Sequence, residues 1–200
     1  MKEDILEQIV DDYLNLRGYF TLSNVKYKPS PKDPEYDSKL DSVNSDIDVI
    51  GFKPGETGPK SVYVVSCKSM QNGFWAEWEC EAISNKKIAG GRERWKAYRE
   101  LANDKWARAL KRKVKNLTGS SDFTYVIACT RWRDPENAKC WIDNKEFKKR
   151  LTRNIEIWTL EEMFKYIYNT STTTPANSDI GRLIQVLKAA KIKVDFESNI

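Results

Sequence analysis

The sequence predicts an α/β domain, a mixed central β-sheet flanked by helices. Two observations predict it. Segments with apolar residues at helical spacing are interleaved with short strand-like runs, in the order helix, three strands, helices, two strands, two helices. At 200 residues the chain is long enough for one domain with a sizeable core. No internal repeat or coiled-coil heptad interrupts that order. Residues 1–200 therefore read as a single domain, with a core over about 3–168 and a last helix over about 179–191.

Residues 3–17 read as a helix, with Ile5, Leu6, Ile9, Val10, Tyr13 and Leu14 at helical spacing and Gly18 as the stop. Residues 19–27 form a first strand. Pro29, Pro31 and Pro34 make 28–44 an irregular loop. Two strands follow, Ser45–Phe52 and Ser61–Ser69, joined by a turn rich in Gly and Pro. Residues 74–89 and 91–117 read as helices, with Trp95, Tyr98, Ala102, Trp106, Ala109 and Leu117 on one side of the longer one. Phe123–Thr130 is a strongly apolar strand and 145–152 a short helix. Ile155–Trp158 is a further strand, Leu160–Tyr168 a helix, and 170–175 a polar loop.

Composition excludes several chemistries. Mean hydropathy is −0.66, and no apolar run is long enough to span a bilayer. The N-terminus lacks the order of a signal peptide, so the cytoplasm is the expected location and no membrane partner is expected. The chain has no histidine, which removes Ser-His-Asp triads, Cys-His pairs and histidine-ligated zinc. Walker A and GxGxxG loops are absent. Cys67, Cys80, Cys129 and Cys140 form no CxxC pair and read as reduced cysteines. Residues 1–60 lean acidic, while 86–115 are strongly basic and include Arg92, Lys96 and Arg99. A basic block beside an acidic site suits a polyanion held by its backbone. Charge runs of this kind are more often solvated helix faces, and the tryptophans read as core.

The sharpest signal lies in the second and third strands. Strand side chains alternate faces, so Asp46, Asp48 and Ile50 share one face, as do Val62, Val64, Ser66 and Lys68. If the strands are neighbours, a carboxylate and an ammonium meet at a sheet end. Phosphodiester hydrolysis needs a divalent cation, an aimed water and a stabilised leaving oxygen. Mg²⁺ needs one or two protein carboxylates, and a lysine can orient the water and stabilise charge. Asp48 is favoured over Asp46 because it directly precedes the hydrophobic run. A second acid two residues before the lysine is missing, since Ser66 stands there. Glu77, Glu79 and Glu81 follow on the next helix; Glu77 and Glu81 share a face, and Glu79 points elsewhere.

This pattern resembles the PD-(D/E)xK nuclease superfamily, the restriction-endonuclease-like fold. Ile47-Asp48-Val49-Ile50-Gly51 resembles its first metal-binding strand, and Val64-Val65-Ser66-Cys67-Lys68 its second. One subgroup replaces the usual acid with serine and carries its glutamate about thirteen residues past the lysine, the place of Glu81 here. The resemblance implies metal binding by Asp48 and Glu81, with the Cys67 carbonyl as a further ligand, and Lys68 as the catalytic lysine. Glu7 matches a glutamate that members often carry on the first helix. No proline precedes Asp48, a departure from the motif.

The function so implied is a Mg²⁺-dependent DNA endonuclease, with Mn²⁺ as a substitute metal. Arg92, Lys96, Arg99 and Ser66 are the expected nucleic-acid contacts. Cutting both strands of a duplex favours a homodimer. The alternatives are a nuclease fold that binds nucleic acid without cutting, and an assembly protein that uses exposed tryptophans.

Overall fold

The computed structural model describes residues 4–171 and 178–196. Helix α1 (Ile5–Leu16) begins where Asp4 accepts a hydrogen bond from the Leu6 N–H. Its apolar spacing buries Leu6, Ile9, Val10 and Leu14 on one side. Each contributes roughly 1.5–3 kcal/mol of hydrophobic stabilisation. That side lies on a five-stranded sheet made of β1 (Phe20–Tyr27), β2 (Ser45–Phe52), β3 (Val62–Lys68), β6 (Thr124–Cys129) and β7 (Asn154–Thr159). Gly51 of β2 permits the approach, because a Cβ there would come within 2.9 Å of the Leu14 side chain.

The sheet order is β1-β2-β3-β6-β7. The β1–β2 and β2–β3 pairs are antiparallel, while β3–β6 and β6–β7 are parallel. A mixed central sheet flanked by helices is thus the fold, as the sequence predicts. Every residue of β6 is buried, as expected of a strand covered on both faces. One face carries Val49, Tyr63, Val65, Val126 and Trp158 under α1, α8 (Leu160–Thr170) and α9 (Asp179–Ala189). The other carries Ile50, Val62, Val64, Tyr125, Ile127 and Ile157 under α3 (Ala76–Ser84), α4 (Arg99–Ala102), α5 (Asp104–Thr118), α6 (Lys139–Ile142) and α7 (Lys145–Arg150).

Several sequence expectations need correction. The helix expected over 91–117 is broken. A hairpin of β4 (Ile88–Ala89) and β5 (Arg92–Glu93) turns at Gly90-Gly91, where φ is 57° and 74°. Two glycines suit such a turn because both central residues need positive φ. A 3-10 turn and α4 follow, and α5 starts afresh where Asn103 accepts from the Lys105 N–H. Val114, not the half-exposed Leu117, completes the buried side of α5. The loop over 28–44 contains the short helix α2 (Ser38–Asp41). Thr170 ends α8, and most of the polar loop expected over 170–175 falls outside the described residues.

The strict alternation expected of β2 also fails. Ile47 and Ile50, three apart, pack on the same face, so the alternation slips one place across Asp48. The partner strand slips with it. Asn24, opposite Asp48, takes φ 55°, a conformation that Asn tolerates, and the 24–48 pair is missing from an otherwise continuous register. On the other side, β2 and β3 pair only from Phe52↔Val62 to Val49↔Val65. Beyond that point they part, and Asp48 sits at the fork.

Candidate active site at the β2–β3 fork

Where two strands part, the inner N–H groups lose their ladder partners and need others. Asp48 supplies one. Its Oδ2 accepts from the Cys67 N–H at 2.6 Å and from the Ser66 hydroxyl at 3.4 Å. In a strand, the C=O of a residue points the same way as its N–H, so the Cys67 carbonyl also faces the fork. Burial pushes the Asp48 carboxyl above its ordinary value, and the charge of Lys68 and the Cys67 N–H pull it back down. Asp46 and Glu100 are further charges that act on it. Asp46 itself is exposed and paired with Lys26, which leaves Asp48 as the carboxylate of the fork.

Lys68 is held over the ring of Tyr98, 5.3 Å from its centroid. Tyr98 is fully buried, and its hydroxyl lies 3.5 Å from Arg94. Arg94 in turn holds Glu79 through two guanidinium N–H groups. Glu79 is therefore directed into the fold, away from the exposed face of Glu77 and Glu81, as the helical spacing predicts; at 2% exposure it is a structural anchor under Lys68.

The other predicted residues fall in several places. Glu81 is half-exposed and bonded to Lys87 at 2.7 Å, so it is engaged at the surface. Glu7, on α1, acts on the Cys67 thiol from the sheet face opposite Lys68. Asp4 and Ser69 join α1 to the end of β3, with the Ser69 hydroxyl donating to Asp4 at 2.7 Å. Burial raises the Cys67 thiol well above its ordinary value, and Asp48 raises it further. Its side chain is neutral, and only its backbone suits a hard cation. Burial raises the other three thiols as well, and none of the four is in a disulfide.

The basic block is partly spent inside the fold. Lys105 pairs with buried Asp41 at 2.7 Å, and Arg108 pairs with Asp33 and Glu35 at 2.7 and 2.8 Å. The acidic loop and the basic helix thus neutralise one another. Arg99 stacks on Trp106, with its guanidinium 4.7 Å from the ring centroid, and Lys96 pairs with Glu93 at 2.9 Å. Arg92 is exposed on the hairpin.

Glu100 is a site residue the sequence reading missed. It is 6% exposed and accepts from the Tyr27 and Tyr125 hydroxyls, two residues far from it in sequence. Burial and Glu100 push both phenols well up, while the Ser66 hydroxyl acts in the opposite direction on Tyr125. Asp48, Ser66, Tyr125 and Glu100 thus form one polar path through the core. No local spacing could have revealed it.

The donor set at the fork is one carboxylate and one backbone carbonyl. It fits Mg²⁺, which takes oxygen ligands and keeps several waters. Among the described residues, no three Asp, Glu or Cys side chains gather closely enough to hold a metal between them. No family model, curated protein or solved structure matches this chain.

Proposed function

We propose that this protein is a Mg²⁺-dependent DNA endonuclease with its reaction centre at the β2–β3 fork. The observation that carries this reading is the Asp48 carboxylate, anchored on the Cys67 N–H with Lys68 as the principal opposing charge. Asp48 and the Cys67 carbonyl would hold the ion. When bound, Mg²⁺ neutralises the scissile phosphate and acidifies a water. Lys68, steadied on Tyr98, orients that water and stabilises the charge that builds on the phosphate oxygens. Ser66 keeps Asp48 in place by donating its hydroxyl to the carboxylate. The neutral Cys67 thiol takes no part as a nucleophile.

Incubation of supercoiled plasmid with Mg²⁺ tests this reading. The wild type is expected to nick or linearise it, while Asp48→Ala and Lys68→Ala lose activity by about 10²-fold or more. Equal cleavage by all three proteins overturns it.

A second reading is favoured by the surface ion pair of Glu81 with Lys87. With that carboxylate engaged elsewhere, the protein would hold nucleic acid without cutting it. Calorimetric titration with Mg²⁺ or Mn²⁺ separates the two. Binding that Asp48→Asn abolishes supports the nuclease, whereas salt-sensitive DNA binding without a metal site supports the binding module.

A further inference from the structure

Beyond the fork, the chains leaving β3 and β6 run side by side. The Phe74 N–H donates to the Arg131 carbonyl at 2.8 Å, the Arg133 N–H donates to the Phe74 carbonyl at 2.9 Å, and Phe74 bridges Trp132. The Thr130 hydroxyl closes the same seam on the Met70 carbonyl. Gly73 (φ 79°) makes the approach possible, because a Cβ there would meet the Arg131 Cγ and carbonyl oxygen at 2.9 Å. The seam is a double-stranded, hydrogen-bonded rim with little room to shift.

That rim presents a cavity of about 430 Å³ lined by Asn72, Arg131, Trp132 and Arg133. The Arg133 guanidinium lies on Trp75, 4.5 Å from a ring centroid, which fixes it without neutralising it. Both arginines are exposed, and neither forms an ion pair among the described residues. The neighbouring Asp134 is turned away, with its two oxygens taking the Ala76 and Glu77 N–H groups at 2.8 and 3.0 Å. Lys68 pairs in register with Cys129. Neighbouring strands and two further residues therefore put the Arg131 backbone roughly 8 Å from that of Lys68. The carboxyl ends of parallel strands are where open α/β sheets hold ligands.

We propose that Asn72, Arg131 and Arg133 form a phosphate-holding subsite, which clamps the phosphodiester backbone of a nucleic acid beside Lys68. Planar guanidinium groups suit phosphate oxygens through paired N–H bonds, and an amide at Asn72 adds a neutral donor. The partner fits this rim by charge: two exposed cations, one of them seated on Trp75, follow Lys68 where the chains leave β3 and β6. The contacts read the backbone and carry no base sequence. The inference rests on the nucleic-acid reading of the fork, but not on cleavage.

The test is metal-free binding of a labelled duplex oligonucleotide across a KCl series, by fluorescence anisotropy. Each neutralised phosphate adds about 0.9 to the slope of log K against log salt. The double variant R131Q/R133Q is expected to weaken binding at low salt at least tenfold and to flatten the slope by about 1 to 2. R131K/R133K, which keeps the charges but loses the planar fork, should keep the slope and recover part of the affinity. An unchanged slope in R131Q/R133Q overturns the subsite, and so does a wild type that binds no duplex. D48N is expected to bind with the wild-type slope. If D48N cuts like the wild type while R131Q/R133Q loses its slope, the cleavage reading fails and the subsite stands.

Discussion

Replacing Asp48 separates its structural work from its chemical work. At the fork its Oδ2 accepts the Cys67 N–H at 2.6 Å, a donor with no ladder partner on that side. Asp48→Ala leaves that N–H without a protein acceptor. An orphaned donor costs about 1–3 kcal/mol, and the half-buried position puts the cost toward the lower end. Asp48→Asn keeps a carbonyl oxygen in place and gives up only the charge, so its cost should stay below about 1 kcal/mol. Urea unfolding monitored by tryptophan fluorescence reads the difference, with equal m-values as the check that the unfolded states match. Metal binding should be lost in both variants, and cleavage should fall by about 10²-fold or more. An Asn variant as unstable as the Ala variant, or an Ala variant as stable as wild type, refutes the fork as the reason for this side chain.

Three further outcomes follow from the same geometry. Because burial raises the folded-state pKa of Asp48, the native chain binds the proton more tightly than the unfolded chain. Its contribution is therefore fully favourable below the ordinary value of 3.8 and is lost as pH rises through the raised folded value. D48N should gain stability relative to wild type between pH 4 and 7, read by urea titration at each pH, and a flat difference contradicts this. Glu100→Ala strands the Tyr27 and Tyr125 hydroxyls in the core and should cost about 2–6 kcal/mol. The cost should shrink in a Tyr27→Phe/Tyr125→Phe background, and a loss that stays equal there argues against the polar path. Glu81→Ala removes only an exposed pair with Lys87, so stability should change by at most about 1 kcal/mol. Calorimetric Mg²⁺ affinity should not change, and a lost affinity would mean that Glu81 leaves Lys87 to serve the ion.

The fold class was legible because each buried strand carries its own signal. The apolar run at 123–130 and the helical spacing of α1 and α9 need no partner to be read. The break at Ala102 is also written in the chain: Asn103-Asp104 is a helix-start signal that lies beneath a continuous basic pattern. Asp48 and Lys68 stood out because strand alternation brings them to one sheet end. The slip of alternation at Asp48 was not legible, since it depends on Asn24 in the neighbouring strand adopting a left-handed conformation. Glu81 shows the limit of spacing. It has the right distance from Lys68 along the chain, yet Lys87 holds it at the surface. Glu100 shows the converse, since a carboxylate that acts on Asp48 arrives from α4 through Tyr27 and Tyr125, residues with no sequence relation to it. The charge blocks misled for a similar reason. Acidic and basic stretches far apart in sequence meet across α5 and cancel, while Arg131 and Arg133, without an ion pair among the described residues, sit in a short loop after β6.

The central claim is that the carboxylate at the β2–β3 fork makes this fold a metal-dependent cutter of phosphodiesters. Single-turnover cleavage of a labelled duplex with saturating Mg²⁺, comparing wild type with Asp48→Asn, tests it most directly, because the Asn variant keeps the hydrogen bond that holds the fork. The account predicts cleavage by the wild type and a rate about 10²-fold lower or less for a folded, DNA-binding Asn variant. Equal rates for the two proteins, or a wild type that binds duplex with Mg²⁺ present and never cuts it, would contradict it.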